Sequence, residues 1–493
     1  MFSHARLERP PDWRKFLSRA RIERFTLVAF LMSLFAVSHS FAQQLPAGAS
    51  ALVQRAQAES GRGEWPEAAA SYEKATALAP NNPGLRIALG LALANCGRFA
   101  DAIASYQAAL QLSPHDSAAE VDLASAYRAV HNEAEARALL QLSAREHPKN
   151  AAPLALLGDL EIEMQTYDAA IHHLVVAVML DPANNETRDR LALAYKSKGD
   201  SAAALAQLAK SLARQPNDAL AHYLRAQIYD DRNDDRLALP EAEKVIALQP
   251  QNPPGRALLG KILLRASGTQ DAATAAGTCS RAADLLQPVV GAKPGDSESL
   301  FLLARAYHCA GKLDDEKTTL AAFESASKTQ RTSRENENQA LHLVQQANER
   351  ALQNDLAGAL DLVRQALEKN PDYGAAYSQL AKLYYSTGDI EQASDAIARA
   401  LELSPYQPDF LYVQGKIFEK QGKLDEAVAD FQRATLVNPK ESDAYFEMGV
   451  VYQQQNDSIR AKAAYEKAVE LSPSDPDYRR ALASLLASPP SSP

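Results

Sequence analysis

Cysteine is scarce in this chain, with three residues among 493. Three thiols make no disulfide framework, and none stands in a CxxC pair that would hold zinc or run redox chemistry. An excess of basic residues is also missing. The formal net charge is -9, which excludes a generally cationic surface for nucleic acid. No GxSxG elbow, phosphate-cradling glycine loop, GxGxxG or HExxH occurs. Apolar runs are short. The longest near the N-terminus, Phe25 to Val37, covers 13 residues, against the roughly 20 that a membrane-spanning helix needs.

That run follows Arg14, Lys15, Arg19, Arg21 and Arg24 and is followed by Ser40-Phe41-Ala42. A basic stretch, a short apolar stretch and a small-x-small end describe a secretory signal over residues 1–42, with cleavage after Ala42. The other reading is an uncleaved signal anchor, the one part of the chain then touching a membrane. Both place the remainder outside the cytoplasm, periplasmic or envelope-associated. No cysteine follows the apolar run, so a lipoprotein is not indicated.

What the chain has instead is period. Prolines recur at a stride of 34 in two ladders, Pro80, Pro114, Pro148, Pro182, Pro216 and Pro250, then Pro371, Pro405, Pro439 and Pro473. Within each stride the apolar spacing is i, i+3, i+4, the helical period, in two halves split by a polar turn. Several turns carry glycine (Gly97, Gly199, Gly388, Gly422), which suits a helix end with positive φ. Position 20 of the unit is alanine ten times, among them Ala68, Ala170 and Ala461. Position 24 is a larger apolar residue nine times, such as Tyr106, Leu174 and Phe431, with Ala242 the exception. A notch beside a knob points to two helices crossing closely. Proline at position 32 ends the second helix.

The last full unit carries Tyr445, Met448, Gly449, Tyr452, Ala461, Tyr465, Ala468 and Pro473. At these residues the sequence resembles the tetratricopeptide repeat (TPR) family. The resemblance spans residues 49–473. It implies an all-α, right-handed superhelical solenoid of about twelve helix–turn–helix units, with helix A lining a concave groove that commonly binds peptides. Eight units occupy 49–328 and four occupy 340–473. A capping helix over 474–487 and a disordered tail over 488–493 follow. Two places break phase. From Pro250 to Pro294 the stride is 44, with the excess near 266–280, which predicts a lengthened A–B turn. Residues 325–339 are polar and charged, either a hinge or an extended helix.

Asp230 to Arg236 carries alternating acids, yet it lacks the glycine and the final glutamate of a calcium loop, so a solvated turn is expected. His172-His173 has no ligand spacing and reads as a solvent-facing pair. No catalytic, cofactor or metal residue is assigned, and an enzyme is not expected. Cys279 starts helix B of the seventh unit and Cys309 ends helix A of the eighth, antiparallel neighbours. They are either a disulfide or two small buried hydrophobes. Position 9 of helix A runs Lys261, Arg305, Asn348, Lys382 and Lys416 from the seventh to the eleventh unit, joined by Phe301, Tyr385 and Tyr412. Such a stripe suits an acidic or C-terminal peptide, or an anionic polysaccharide; the alternative is a groove that is polar because it is wet. The expected function is a scaffold of the cell envelope binding protein partners in its groove. The alternatives are a part of a polysaccharide or protein export machine, or a regulatory arm of an enzyme complex.

Overall fold

The computed structural model describes residues 45–487, so the expected signal segment and tail lie outside the described residues. The described chain forms 24 helices and no strand. They pair as twelve helix–turn–helix repeats followed by one helix, Pro476–Ala487. Tyr478 of that last helix is buried and stacks on Phe446, ring centroids 4.9 Å apart.

Local chemistry sets each boundary. Position 34 is Asn or Asp (Asn82, Asp116, Asn150, Asn184, Asp218, Asn252), and each side chain accepts a backbone N–H of the following helix A at 3.0–3.2 Å. These caps satisfy amides that the helix leaves without partners. The A–B turn needs one left-handed residue. Glycine supplies it at Gly97 and Gly199, while His131, Gln165 and Asn233 adopt φ of 56–61° at the same position.

All ten alanines at position 20 are fully buried. The tightest contact lies one turn further on. A Cβ added to Gly415 would stand 2.6 Å from Phe431, and one added to Gly449 would stand 2.5 Å from Tyr465. Gly158 faces Leu174 in the same way. Position 8 of helix A is thus a socket for the knob at position 24.

The seventh repeat corrects one expectation. Nearly all of its extra residues lengthen the helices rather than the turn, Pro253–Ser267 to 15 residues and Ala272–Ala292 to 21. Alanine is the strongest helix former, and the added stretch is rich in it. Packing register is recovered afterwards, because Gly260 faces Leu286 as Gly415 faces Phe431. Of the two forms open for residues 325–339, the structure has the extended helix. Leu313–Leu352 runs unbroken for 40 residues, serving as helix B of the eighth repeat and helix A of the ninth.

The packing divides the chain differently from the eight-plus-four blocks. One body holds the described residues up to Pro148 together with Tyr406 onward; the other holds Lys149–Pro405. Within the first body, residues distant in sequence meet: Lys440 Nζ lies 2.8 Å from Glu135, and the rings of Phe99 and Tyr406 lie 5.9 Å apart.

Within the second body, helix A of the fifth repeat is enclosed on every side. Thr187, Arg188, Asp189 and Arg190 are each 5% exposed or less, although consecutive helical residues point about 100° apart. Burial, reinforced by the neighbouring Asp218 carboxylate, pushes Asp189 up to about 8. An acid whose folded pKa lies above its unfolded value binds its proton more tightly when folded, so its contribution falls as pH rises from about 4 to about 8. Asp189→Asn is therefore expected to raise Tm by roughly 5 °C at pH 8 and by little at pH 4. Equal shifts at both pH values, read by circular dichroism, would rule out this linkage.

Candidate functional site

Neighbouring A helices are laced by ion pairs that repeat in register. Position 9 of one repeat meets position 6 of the next: Asp159 with Arg190 at 3.3 Å, and Lys416 with Glu447 at 2.8 Å. Position 9 also meets position 12 of the preceding repeat, as Lys261 does with Asp230 at 2.8 Å. Two members of the expected cation stripe are thereby neutralised internally. Lys416 takes Glu419 as well, at 2.7 Å. Burial opposes its charge, but the hydrogen bonds it donates to both carboxylates outweigh that and hold its pKa above the ordinary value. Tyr412 donates its hydroxyl to Glu447 at 3.3 Å, and burial first, then that carboxylate, raises its pKa.

In the acidic run at Asp230 to Arg236, Asp231, Arg232, Asn233 and Arg236 are exposed, as a solvated turn requires, but the first acid is not. Asp230 is 5% exposed and sits between Lys261 and Arg265, while Asp235 also takes Arg265. Asp234 caps helix B by accepting the Leu237 N–H at 3.2 Å. The run ties the sixth repeat to the seventh. His172 and His173 also part company: His172 is exposed, whereas His173 Nδ1 lies 2.7 Å from the buried Glu161 carboxylate.

Arg305, Asn348 and Lys382 remain exposed, and among the described residues neither Arg305 nor Lys382 has a carboxylate partner. Arg305 stands over the Phe301 ring, 5.9 Å from its centroid, a cation–π contact. Phe301 is 44% exposed, and its ring packs tilted against that of Phe323, centroids 5.6 Å apart. Tyr385 is half-buried. Beside Arg305 lies an open hollow of about 370 Å³, walled by Leu264, Ala304, Leu320 and Cys309 and by the polar Ser267, His308 and Glu316, the last two 3.0 Å apart. Leu313 and Leu320 continue the apolar surface along the 40-residue helix.

One wall of this hollow is covalent. Cys279 and Cys309 are bonded, with Cα atoms 5.7 Å apart. The bond fastens the lengthened helix of the seventh repeat to helix A of the eighth. Cys96 is half-buried, and burial raises its thiol pKa. The two bonded cysteines are 30 residues apart, and closing a loop of that size contributes on the order of 3 kcal/mol. Reduction by dithiothreitol is expected to lower Tm, and Cys309→Ala is expected to abolish that response. A Tm indifferent to reductant would remove the bond from the stability of this region.

The hollow was not legible in the sequence. It needs the insertion to be helical and the 40-residue helix to be continuous. The one available signal was Leu313 and Leu320, seven residues apart and two helical turns along one face.

Family models described as tetratricopeptide repeat match residues 96–160 and 350–417, 53–117 and 190–253, and 442–475; a TPR repeat model matches 415–456. No curated protein sequence matches the chain. Among solved structures, the APC/C hetero-tetramer Cut9–Hcn1 is 13% identical over 90% of this chain and 97% of that chain, with a TM-score of 0.33. A tetratricopeptide repeat protein from Parabacteroides merdae ATCC 43184 is 20% identical over 53% and 99%, with a TM-score of 0.43. MamA is 20% identical over 33% and 95%, with a TM-score of 0.31. At these scores the likenesses carry no argument about activity or partner.

Proposed function

Since the chain belongs to the tetratricopeptide repeat family, we propose that it is an exported scaffold of the cell envelope that holds an acidic peptide segment of a partner protein against its seventh and eighth repeats. The interaction-scaffold part follows from the repeats themselves. The observation that carries the rest is Arg305, an exposed cation stacked on an exposed aromatic ring at the lip of a hollow with a partly apolar wall. Burying a cation without a counter-ion is unfavourable, and its guanidinium fork matches a carboxylate. Phe301, Leu313 and Leu320 supply the apolar contact area that such anchors need. Lys382 and Asn348 extend the polar contacts on other A helices. Export is supported by the basic and apolar pattern before Gln43 and by the Cys279–Cys309 bond, which persists in an oxidising compartment.

The test is capture from an envelope extract by the chain from Gln43 onward, compared with Arg305→Glu and Phe301→Ala, each checked for fold by circular dichroism. A partner captured by the parent chain and lost at least tenfold by both variants supports the reading. Equal capture by all three overturns it.

A further inference from the structure

At four junctions in the N-terminal half, position 4 of helix A has one recurring task. Arg86, Arg188, His222 and Arg256 each place a side-chain nitrogen on the carbonyl of the proline six residues earlier, at 2.7–3.0 Å. Leu154 stands there in the fourth repeat. The third repeat breaks the pattern in another way. Its position 4 is Glu120, which ionised has no proton to donate to the Pro114 carbonyl. The side chain is nevertheless 5% exposed, and its Oε2 has no hydrogen-bond partner. An unsatisfied buried carboxylate is costly unless something cationic meets it.

Three other groups converge on it. His115, from the loop before the helix, and Glu146, from the end of helix B, face each other with Nδ1 and Oε2 2.7 Å apart. One ligand atom from each of His115, Glu120 and Glu146 lies within 4.8 Å of the other two. His147 Nε2 also lacks a hydrogen-bond partner and lies 3.8 Å from Glu120 Oε2. His115 is brought into place by a φ of +68°, a left-handed value that no other residue of its position adopts among the described residues.

We infer that His115, Glu120 and Glu146 form a binding site for a divalent zinc-like cation, with His147 beside Glu120 as the fourth donor. The donor set chooses the metal. Imidazole with carboxylate suits zinc, whereas calcium and magnesium prefer an all-oxygen shell. Two carboxylates and two neutral imidazoles carry a charge of minus two, which one divalent ion balances. The site is half loop and half helix end, so an ion there joins the second-to-third junction to the end of the third repeat's helix B. It shares no residue with the hollow at Arg305, and its loading does not depend on peptide binding there.

The experiment is calorimetric titration of ZnCl₂ into the full chain, stripped of metal beforehand, with CaCl₂ as the comparison. One equivalent of zinc is expected to bind and to raise Tm, with calcium at least tenfold weaker. Glu120→Gln and His115→Asn are each expected to weaken zinc by at least tenfold. His173→Asn and His308→Asn, which alter other His–Glu pairs, are expected to leave it unchanged. Glu120→Arg guards against a trivial loss of fold, since it can make the proline-carbonyl bond of the other junctions; it is expected to fold and to bind no zinc at this site. Zinc affinity unchanged in Glu120→Arg or Glu146→Gln, or a loss caused by His173→Asn or His308→Asn instead, overturns the assignment. So does an absence of stoichiometric zinc binding by the parent chain.

Discussion

Arg190→Met, made alone, is expected to destabilise the body spanning residues 149–405 by about 3–5 kcal/mol. Arg190 and Asp159 belong to adjacent A helices, and their side chains are 4% and 2% exposed. Glu186 also holds Arg190, at 2.6 Å. Taking away the guanidinium leaves the Asp159 carboxylate facing a buried site without its cation. The double variant Asp159→Leu, Arg190→Met removes both charges and is expected to recover most of the loss, because a matched apolar pair avoids the desolvation of two ions. Denaturant unfolding, with hydrogen exchange resolved for Ala151–Glu163 and Asn185–Lys198, separates the cases. A single-variant loss below about 1 kcal/mol would show that the pair contributes no more than a surface one.

Phe431→Ala is the second large effect, about 3–5 kcal/mol. Phe431 is fully buried in the eleventh repeat and fills the socket left by Gly415. Its ring also approaches Tyr412, 5.8 Å between centroids. The socket makes a sharper prediction, a reversal of sign. In the parent chain Gly415→Ala forces a Cβ against the ring and is expected to cost about 1–3 kcal/mol. In the Phe431→Ala background the ring is gone, and the same change is expected to stabilise by about 1 kcal/mol, the ordinary advantage of alanine over glycine inside a helix. Each repeat contacts mainly its neighbours, so slowed exchange should be lost first in Pro408–Lys420 and Leu424–Val437. Additive behaviour of the two changes would show that glycine and ring do not touch.

The sequence carried the repeat plan because that plan is made of local rules written many times. The proline stride, the alanine at position 20 and the positive-φ turn are each determined within one unit, so Pro182, Ala170 and Gly199 could be read without neighbours. Even the phase break after Pro250 was visible as ten surplus residues. Its conformation was not, because an alanine-rich stretch fits both a loose turn and a helix until Leu286 finds Gly260. The candidate sites belong to the other category. Whether Lys416 and Lys261 are available cations depends on Glu447 and Asp230, some thirty residues away in the next or preceding repeat. Glu120 differs from Arg86 by one residue type, but its meaning comes from His115, Glu146 and His147 around it. Period therefore determined the elements and their pairing, since each repeat buries its own knob in its own socket. Tertiary structure alone decided which charges are left for a ligand, because a charge is satisfied or stranded by whatever the adjoining repeat sets against it.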